Sequence, residues 1–523
     1  MKSAQSTART VASNSFWHAF EAVFSLVLVF ATSIPLARVL GPERLGYFNY
    51  VMWLANVSTL IAVGNPSAAH KFMAEYLARG EAGIARSIFY RTLRSQIVTA
   101  VATALGGEVI VLAFGDPRYR VVSFIQILTI IPAMVNAIPS QANNAKANMR
   151  ANVAGSIVSS LIYLGGVTLS LILGWNLMGV AVTFFISRAV ELGMRMTTVT
   201  RWVNTSPPAN IPRDVLRSMR KFMFQSFALF ALNMVVWDRS DLVLLKYLSH
   251  DLKQITFFST TFNLVEKAIL IPQVFGHALG VSMIAEYGKD PKRAADLAAA
   301  AGKYLYLIAG PLLLGMALLS APIIRLLYGP QYLPAIPVLA IAGTLGIFKP
   351  LLLPAQYLYF AHNRQGPMVV WSLCCGIVNV AVDWLLIPSL GASGAALGNG
   401  IAQALAVIGI WVIGARLFGL RLECGAVARI TVAILAMVPP VLLLTGLPPL
   451  LAIPAGIVAG AAAFLYVSRW MRVLAPADSE RLERLQTSVP GPVRPLFRNA
   501  VIWLSSSGSK SGQFHGYSGS KAG

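Results

Sequence analysis

Fourteen long apolar runs dominate this chain and leave it few ways to fold. They cover residues 16–36, 47–65, 93–114, 121–141, 153–173, 177–196, 222–247, 255–284, 304–326, 333–359, 368–387, 394–418, 430–447 and 450–470. Each is close to the roughly 20 residues that a helix needs to cross a bilayer. Inside hydrocarbon the backbone must satisfy its own hydrogen bonds, so runs of this kind are helices. Only 12% of the 523 residues are charged, about half the roughly 25% of an ordinary soluble domain. The sequence therefore predicts an all-α polytopic membrane protein with about 14 transmembrane helices, and it excludes a soluble enzyme.

The net charge of +22 at first suggests a nucleic-acid partner,. The distribution of the charge removes that suggestion. With the N-terminus inside, 31 of the 42 Lys and Arg fall on inner segments, seven on outer loops and four within spans. Such a bias is the positive-inside pattern of a membrane protein. It predicts a multi-pass protein of the inner (plasma) membrane with both termini cytoplasmic, and it calls for no nucleic acid. The first apolar run is too long for a signal-peptide core and reads as a retained span. Cys374 and Cys375 are adjacent in a span and Cys424 stands apart, which is neither a disulfide framework nor a metal spacing,.

An internal repeat organises the spans. A shift of 215 residues pairs Pro139 and Gln141 with Pro354 and Gln356, Asn148 with Asn363, and Gly179 and Ala181 with Gly394 and Ala396. A shift of 211 pairs Ala74-Glu75-Tyr76 with Ala285-Glu286-Tyr287, and the loop at 114–119 has a counterpart at 328–332. The pairing implies an N-lobe of six spans at 1–205 and a C-lobe of six at 206–422, followed by two extra C-terminal helices at 423–470 and a partly disordered cytoplasmic tail at 471–523. Six is even, so the lobes are parallel repeats, an arrangement that puts a substrate path between them near mid-membrane. The segment 205–213, with Pro207, Pro208 and Pro212, reads as the linker. Inner stretches 71–91 and 289–303 read as short amphipathic helices facing anionic lipid headgroups,.

The run Leu36-Ala37-Arg38-Val39-Leu40-Gly41-Pro42-Glu43-Arg44-Leu45-Gly46-Tyr47-Phe48 resembles the first-loop signature of the polysaccharide and O-antigen flippases of the multidrug/oligosaccharidyl-lipid/polysaccharide exporter superfamily. Arg239-Ser240-Asp241-Leu242-Val243-Leu244-Leu245 resembles that family's seventh-span motif, and a second copy of the loop pattern follows at 248–258, with Ser249 and His250 in place of Gly-Pro. The resemblance implies translocation of undecaprenyl-diphosphate-linked oligosaccharides to the periplasmic leaflet by alternating access, without ATP, cofactor or catalysis. It also implies a polysaccharide polymerase and glycosyltransferases as companions. The chain has no Walker-type phosphate loop,.

Ionisable residues inside spans are costly and therefore candidates for function. Arg188 and Lys267 fall near mid-depth, Lys349 somewhat inward and Arg239 in the outer third, and these four are the candidate substrate-binding cations. Arginine grips phosphate oxygens bidentately, whereas lysine acts as a point charge. Local ion pairs compete with that role: Arg188 precedes Glu191 by three residues, Glu266 adjoins Lys267, and Asp238 and Asp241 flank Arg239. Seven acids also lie in spans: Glu21, Glu108, Glu191, Asp238, Asp241, Glu266 and Asp383. Of these, Glu21, Asp383, Asp241 and Glu266 are candidates for coupling transport to an ion gradient. The acids keep open an ion-coupled multidrug or metabolite antiporter. A membrane polysaccharide polymerase is the remaining alternative, and the short outer loops speak against it.

Overall fold

A computed structural model describes residues 2–114, 116–237, 241–287, 290–362, 364–474 and 478. Among them every regular element is helical: α1 (Lys2–Ser58), α2 (Gly64–Ala78), α3 (Ala82–Phe114), α4 (Arg120–Leu128), α5 (Ile130–Ala145), α6 (Met149–Ile172), α7 (Asn176–Val203), α8 (Arg213–Trp237), α9 (Asp241–Leu248), α10 (Leu252–Tyr287), α11 (Pro291–Leu318), α12 (Ser320–Leu327), α13 (Ile336–Gly346), α14 (Leu352–Ala361), α15 (Gly366–Leu390), α16 (Ala392–Phe418), α17 (Cys424–Leu435), α18 (Val438–Leu444) and α19 (Pro449–Trp470). Ten segments of the described residues are long and apolar enough to cross a membrane, and each overlaps one of the fourteen expected spans. The other four expected spans fall on α1, α8 with α9, and α10, whose side chains lie partly outside the described residues. Side chains such as Leu443 (84% exposed) and Leu385 (73%) point outward, as lipid-facing positions require.

Among the described residues five runs that read as continuous spans are broken. The run at 47–65 tightens into a turn at Thr59–Ala62, that at 121–141 divides at Thr129, that at 304–326 divides at Leu319, that at 333–359 turns at Lys349–Leu351, and that at 430–447 divides near Met437. Proline accompanies the last four: Pro132, Pro322, Pro350, Pro439 and Pro440 withhold backbone donors there,. The stretches 71–91 and 289–303 are not separate interfacial helices. The first is the end of α2, a short turn and the start of α3; in the second, α11 begins at Pro291 and runs on without interruption to Leu318.

The chain forms two compact units. Unit 1 comprises residues 1–267, 324–342 and 369–405, and its most informative feature is a seam built on the first-loop motif. Gly41 breaks α1 with φ 72°, a left-handed conformation that favours glycine,. Arg38 donates from Nε to the Leu327 carbonyl at 2.9 Å and from Nη2 to that of Leu326, the last carbonyls of α12. Tyr332 donates to the Ala37 carbonyl at 3.0 Å. The second loop copy packs on the first: Thr256 donates to the Pro42 carbonyl, Asn49 donates to Ser259 at 2.8 Å, and a Cβ at Gly46 would collide with the Leu252 carbonyl. In that second copy the left-handed residue is His250, at φ 53°.

Elsewhere in unit 1 small residues let helices approach. A Cβ at Gly166 or Gly179 would strike Thr183 or Ser170, so α6 and α7 pack closely, as membrane helices do through small residues. Gly394, the repeat partner of Gly179, meets the Leu386 carbonyl of α15 in the same way. The proline-rich linker is stapled to the start of α3: Ala209 N–H donates to Gly83, Ser87 to the Ala209 carbonyl and Arg86 to the Ser206 carbonyl.

Unit 2 comprises residues 268–323, 343–368 and 406–523. Its core joins Leu319 to Ile430, Ile434, Met437, Val441 and Phe464 of α17, α18 and α19. One ionic group is buried at its edge. Lys303 donates from Nζ to both Asp478 oxygens, at 2.7 and 2.8 Å, and to Glu423 at 3.2 Å, while Tyr304 donates to Asp478 at 2.7 Å.

Candidate functional site

A cavity of about 480 Å³ opens in unit 1 among α1, α2, α3, α4, α5, α7 and α8, and its walls are unusually rich in amides. Asn56, Gln96, Gln126, Asn136 and Gln141 line it, with Phe184 and Arg188 from α7. Their positions are fixed from behind. Asn65 donates to Gln96 Oε1 at 3.0 Å, and Gln96 donates onward to the Met134 carbonyl at 2.9 Å. Gln126 donates to the Phe48 carbonyl at 3.1 Å, which ties the cavity to the first-loop motif. The Gln126 Oε1 and Asn136 Oδ1 atoms are buried with no hydrogen-bond partner among the described residues. Unmatched acceptors of this kind are costly.

Arg188 is the cation at this wall. Its Nη1 pairs with Glu191 Oε2 at 2.8 Å, and Glu191 Oε1 pairs with Arg195 Nη2 at the same distance. Glu191 and Arg195 are buried, whereas the Arg188 side chain remains 40% exposed. Arg195 also donates to Ser156 at 2.7 Å and to the Asn152 carbonyl at 3.2 Å. One carboxylate between two guanidiniums leaves a net positive charge, and the free part of it is at Arg188. A buried Arg–Glu–Arg triad costs desolvation energy unless its geometry is good; here Glu191 serves as the tether that aims Arg188. The spacing left Arg188 either a substrate contact or the partner of Glu191; the structure shows the ion pair and leaves the Arg188 side chain part-exposed.

A second cluster in unit 1 is acidic. Asp241 opens α9 and is fully buried. Asn379 donates to its Oδ1 at 2.8 Å and Asn399 to its Oδ2 at 3.1 Å, with Gln403 donating to Asn399 at 2.8 Å. Asp383, also fully buried, lies one turn beyond Asn379, and the two carboxyl groups are within hydrogen-bonding reach of each other. Gly398 leaves the space that Asp383 Oδ1 occupies, and that oxygen has no hydrogen-bond donor among the described residues. Two apposed carboxylates, toward which Asn379 and Asn399 turn amide N–H donors, form a pair suited to sharing a proton or a small cation,.

The remaining sequence candidates are dispersed. Lys267 is half-buried on α10 in unit 1, and Glu266 beside it is half-buried as well. Lys349 is half-buried in the Lys349–Leu351 turn of unit 2, with no hydrogen bond or ion pair among the described residues. Arg239 and the Glu21 side chain lie outside the described residues. The structure thus brings Asp241 and Asp383 together and adds Arg195, Asn379, Asn399 and the cavity amides, none of which was singled out from the sequence as a site residue. Asn379 alone had left a signal, standing one turn before Asp383.

Comparison with known proteins fits this geometry. Among curated proteins, the succinoglycan biosynthesis transport protein ExoT of Rhizobium meliloti (strain 1021) is 21% identical over 410 residues, 77% of each chain. Among solved structures, the lipid II flippase MurJ in an inward closed conformation matches with a TM-score of 0.69 at 15% identity, covering 87% of this chain and 98% of that one. An inward-facing multidrug resistance transporter of the MATE family matches with a TM-score of 0.63 at 13% identity, covering 76% and 94%. The fold is therefore that of the MurJ and MATE transporters. A profile of the family described as polysaccharide biosynthesis protein matches residues 11–276, just over half of the chain, and the chain belongs to that family.

Proposed function

We propose that the protein is a flippase that carries polyprenyl-diphosphate-linked oligosaccharide units across the inner membrane for polysaccharide biosynthesis, by alternating access. The observation that carries this reading is the cavity in which one tethered guanidinium faces five amides, two with unmatched acceptor oxygens. A guanidinium suits the diphosphate, and amides suit the hydroxyls of a sugar. Two proteins that the chain is similar to, a succinoglycan transport protein and a lipid II flippase, point the same way. Lys267, Lys349 and Arg239 are further candidates for contact with the same polyanion. Both termini are cytoplasmic in this reading, and a polymerase and glycosyltransferases work beside it.

The Asp241–Asp383 cluster is the coupling-ion site in this scheme. With one monovalent cation or one shared proton bound it carries a single negative charge, and empty it holds two repelling charges, so the ion gradient can bias one conformation over another. Glu21 and Glu266 are secondary candidates. Deleting the gene and asking whether lipid-linked oligosaccharide accumulates on the cytoplasmic leaflet tests the reading, with Arg188→Ala and Arg188→Lys as complementing variants. Accumulation that the native chain relieves and Arg188→Ala does not is the expected result. Undiminished export by Arg188→Ala at normal protein levels removes Arg188 from the mechanism. The acidic cluster and the MATE-like fold also favour an ion-coupled antiporter; drug sensitivity without accumulation on deletion would select it.

A further inference from the structure

A second hollow, of about 720 Å³, opens in unit 1 between residues of α3 and α8, with Asn65 of α2 in its wall. Arg91 and Arg94 reach it from α3, and Arg220 from α8. All three are exposed and have no ion pair or hydrogen bond among the described residues, and no acidic side chain lines the hollow. Their spacing is helical. Arg91, Arg94 and Val98 lie on one face of α3, and Leu216, Arg220 and Met223 on one face of α8,. The walls are held in place: a Cβ at Gly64 would come within 2.5 Å of the Met223 carbonyl, and Lys71 Nζ sits 4.4 Å from the centre of the Phe222 ring.

The hollow does not end at the arginines. An apolar trough of about 330 Å³ continues from it, sharing Asn65, Ser95, Thr99 and Met223 and extending along Ile61, Phe224 and Phe227. From Arg220 to Phe227 the chain climbs about 10 Å at 1.5 Å per residue. Three unpaired guanidiniums at one end and exposed aromatic and aliphatic side chains at the other match an amphiphile with an anionic head and a hydrocarbon chain. Setting topology needs only positive charge on this side of the membrane, and it leaves the trough without a purpose. The count of charges bears on the head. A single phosphodiester neutralises one guanidinium of three, whereas a diphosphate presents more charge and more oxygens to arginine forks.

We infer that the α3–α8 hollow is a loading site for the diphosphate head of a polyprenyl-type lipid, with the chain lying along Phe224 and Phe227. The site is separate from the amide-lined cavity, and its assignment to the transported lipid rests on the flippase reading above. Ser95 is at the junction of hollow and trough, where the head gives way to the chain.

The test is equilibrium binding of labelled farnesyl diphosphate to the purified full-length protein in neutral detergent. Competitors are farnesyl monophosphate, inorganic diphosphate and phosphatidylglycerol. Saturable binding is expected, with the diphosphate lipid preferred to the monophosphate and the inorganic ion. Arg91→Ala/Arg94→Ala/Arg220→Ala should weaken it about tenfold or more, the equivalent of losing one charge-assisted hydrogen bond. Arg213→Ala/Arg217→Ala, which removes exposed arginines outside the hollow, should not weaken it. Unchanged binding by the triple variant overturns the inference, as does equal competition by inorganic diphosphate or by phosphatidylglycerol. The single variant Arg220→Gln, compared at equal thermal midpoint, keeps the test independent of folding. Failure of the flippase reading shows separately, as absence of oligosaccharide accumulation on deletion.

Discussion

The buried ion group of unit 2 makes a quantitative prediction about the region after the last span. The side chains of Lys303 and Asp478 are each only 4% exposed, and Asp478 accepts two of the three hydrogen bonds that Lys303 donates. Removing one partner of a buried pair costs about 3–5 kcal/mol because a charge is stranded. Here Glu423 stays within 3.2 Å but its side chain is 54% exposed, so it offsets part of the loss. Asp478→Ala should therefore destabilise unit 2 by about 2–4 kcal/mol. A chain ending at Leu474 should behave alike. Lys303→Met combined with Asp478→Leu should recover most of the loss, since apolar replacement of both partners is often neutral. The assay is the thermal midpoint of the purified protein in detergent, followed by tryptophan fluorescence. An Asp478→Ala midpoint equal to the native one, or a double variant no better than the single, refutes the reasoning.

Gly398→Ala should abolish ion-dependent transport without loss of protein, because the added Cβ takes the space of Asp383 Oδ1; transport that responds to the ion gradient as before would exclude the cluster from coupling. Gly46→Val should lower the thermal midpoint and the protein level together, since its Cβ meets the Leu252 carbonyl and backbone cannot yield as a side chain does. Measured accumulation in membranes decides that point. Asp116 accepts hydrogen bonds from the Arg118 side chain and backbone, which hold its carboxyl below the ordinary range. A depressed folded-state pKa gives a contribution that is present above the ordinary value of about 3.9 and lost as pH falls through the depressed one. Amide exchange at the Pro117–Tyr119 turn should therefore be flat from pH 8 to 5 and speed up relative to its intrinsic rate only in stronger acid, and Asp116→Asn should remove that acid limb.

The spans were legible because hydropathy needs no partner: twenty apolar residues are costly in water wherever they end up in the fold. Breaks inside spans were harder to see. Pro132 follows the break at Thr129 and Pro350 stands in the turn at Lys349, but membrane helices also tolerate proline without breaking, as Pro139 inside α5 shows,. Charges within one helix turn were readable, so Arg188 and Glu191 were paired from spacing. Arg195, the next member of the triad, stands at the inner end of the run at 177–196 and was counted with the inner cations, although α7 continues to Val203. Asp241 and Asn379 are 138 residues apart, and no local pattern reports such an approach. Gln126 and Asn136 were lost for a different reason: a neutral amide barely lowers a hydropathy average, although burying it unmatched costs on the order of 2–7 kcal/mol,.

The seam on the first-loop motif is made largely of main-chain groups: Ala37, Pro42, Leu326 and Leu327 each offer a carbonyl, and Gly46 gives clearance to that of Leu252. Each of the first four carbonyls is met by a side-chain donor, Arg38, Tyr332 or Thr256, so the joint depends on these three side chains as well as on the course of the backbone. The second copy of the motif, with Ser249 and His250 in place of Gly-Pro, still turns left-handed at His250. What cannot drift is bulk: any residue larger than glycine at position 46 pries the two copies apart, whatever its chemistry.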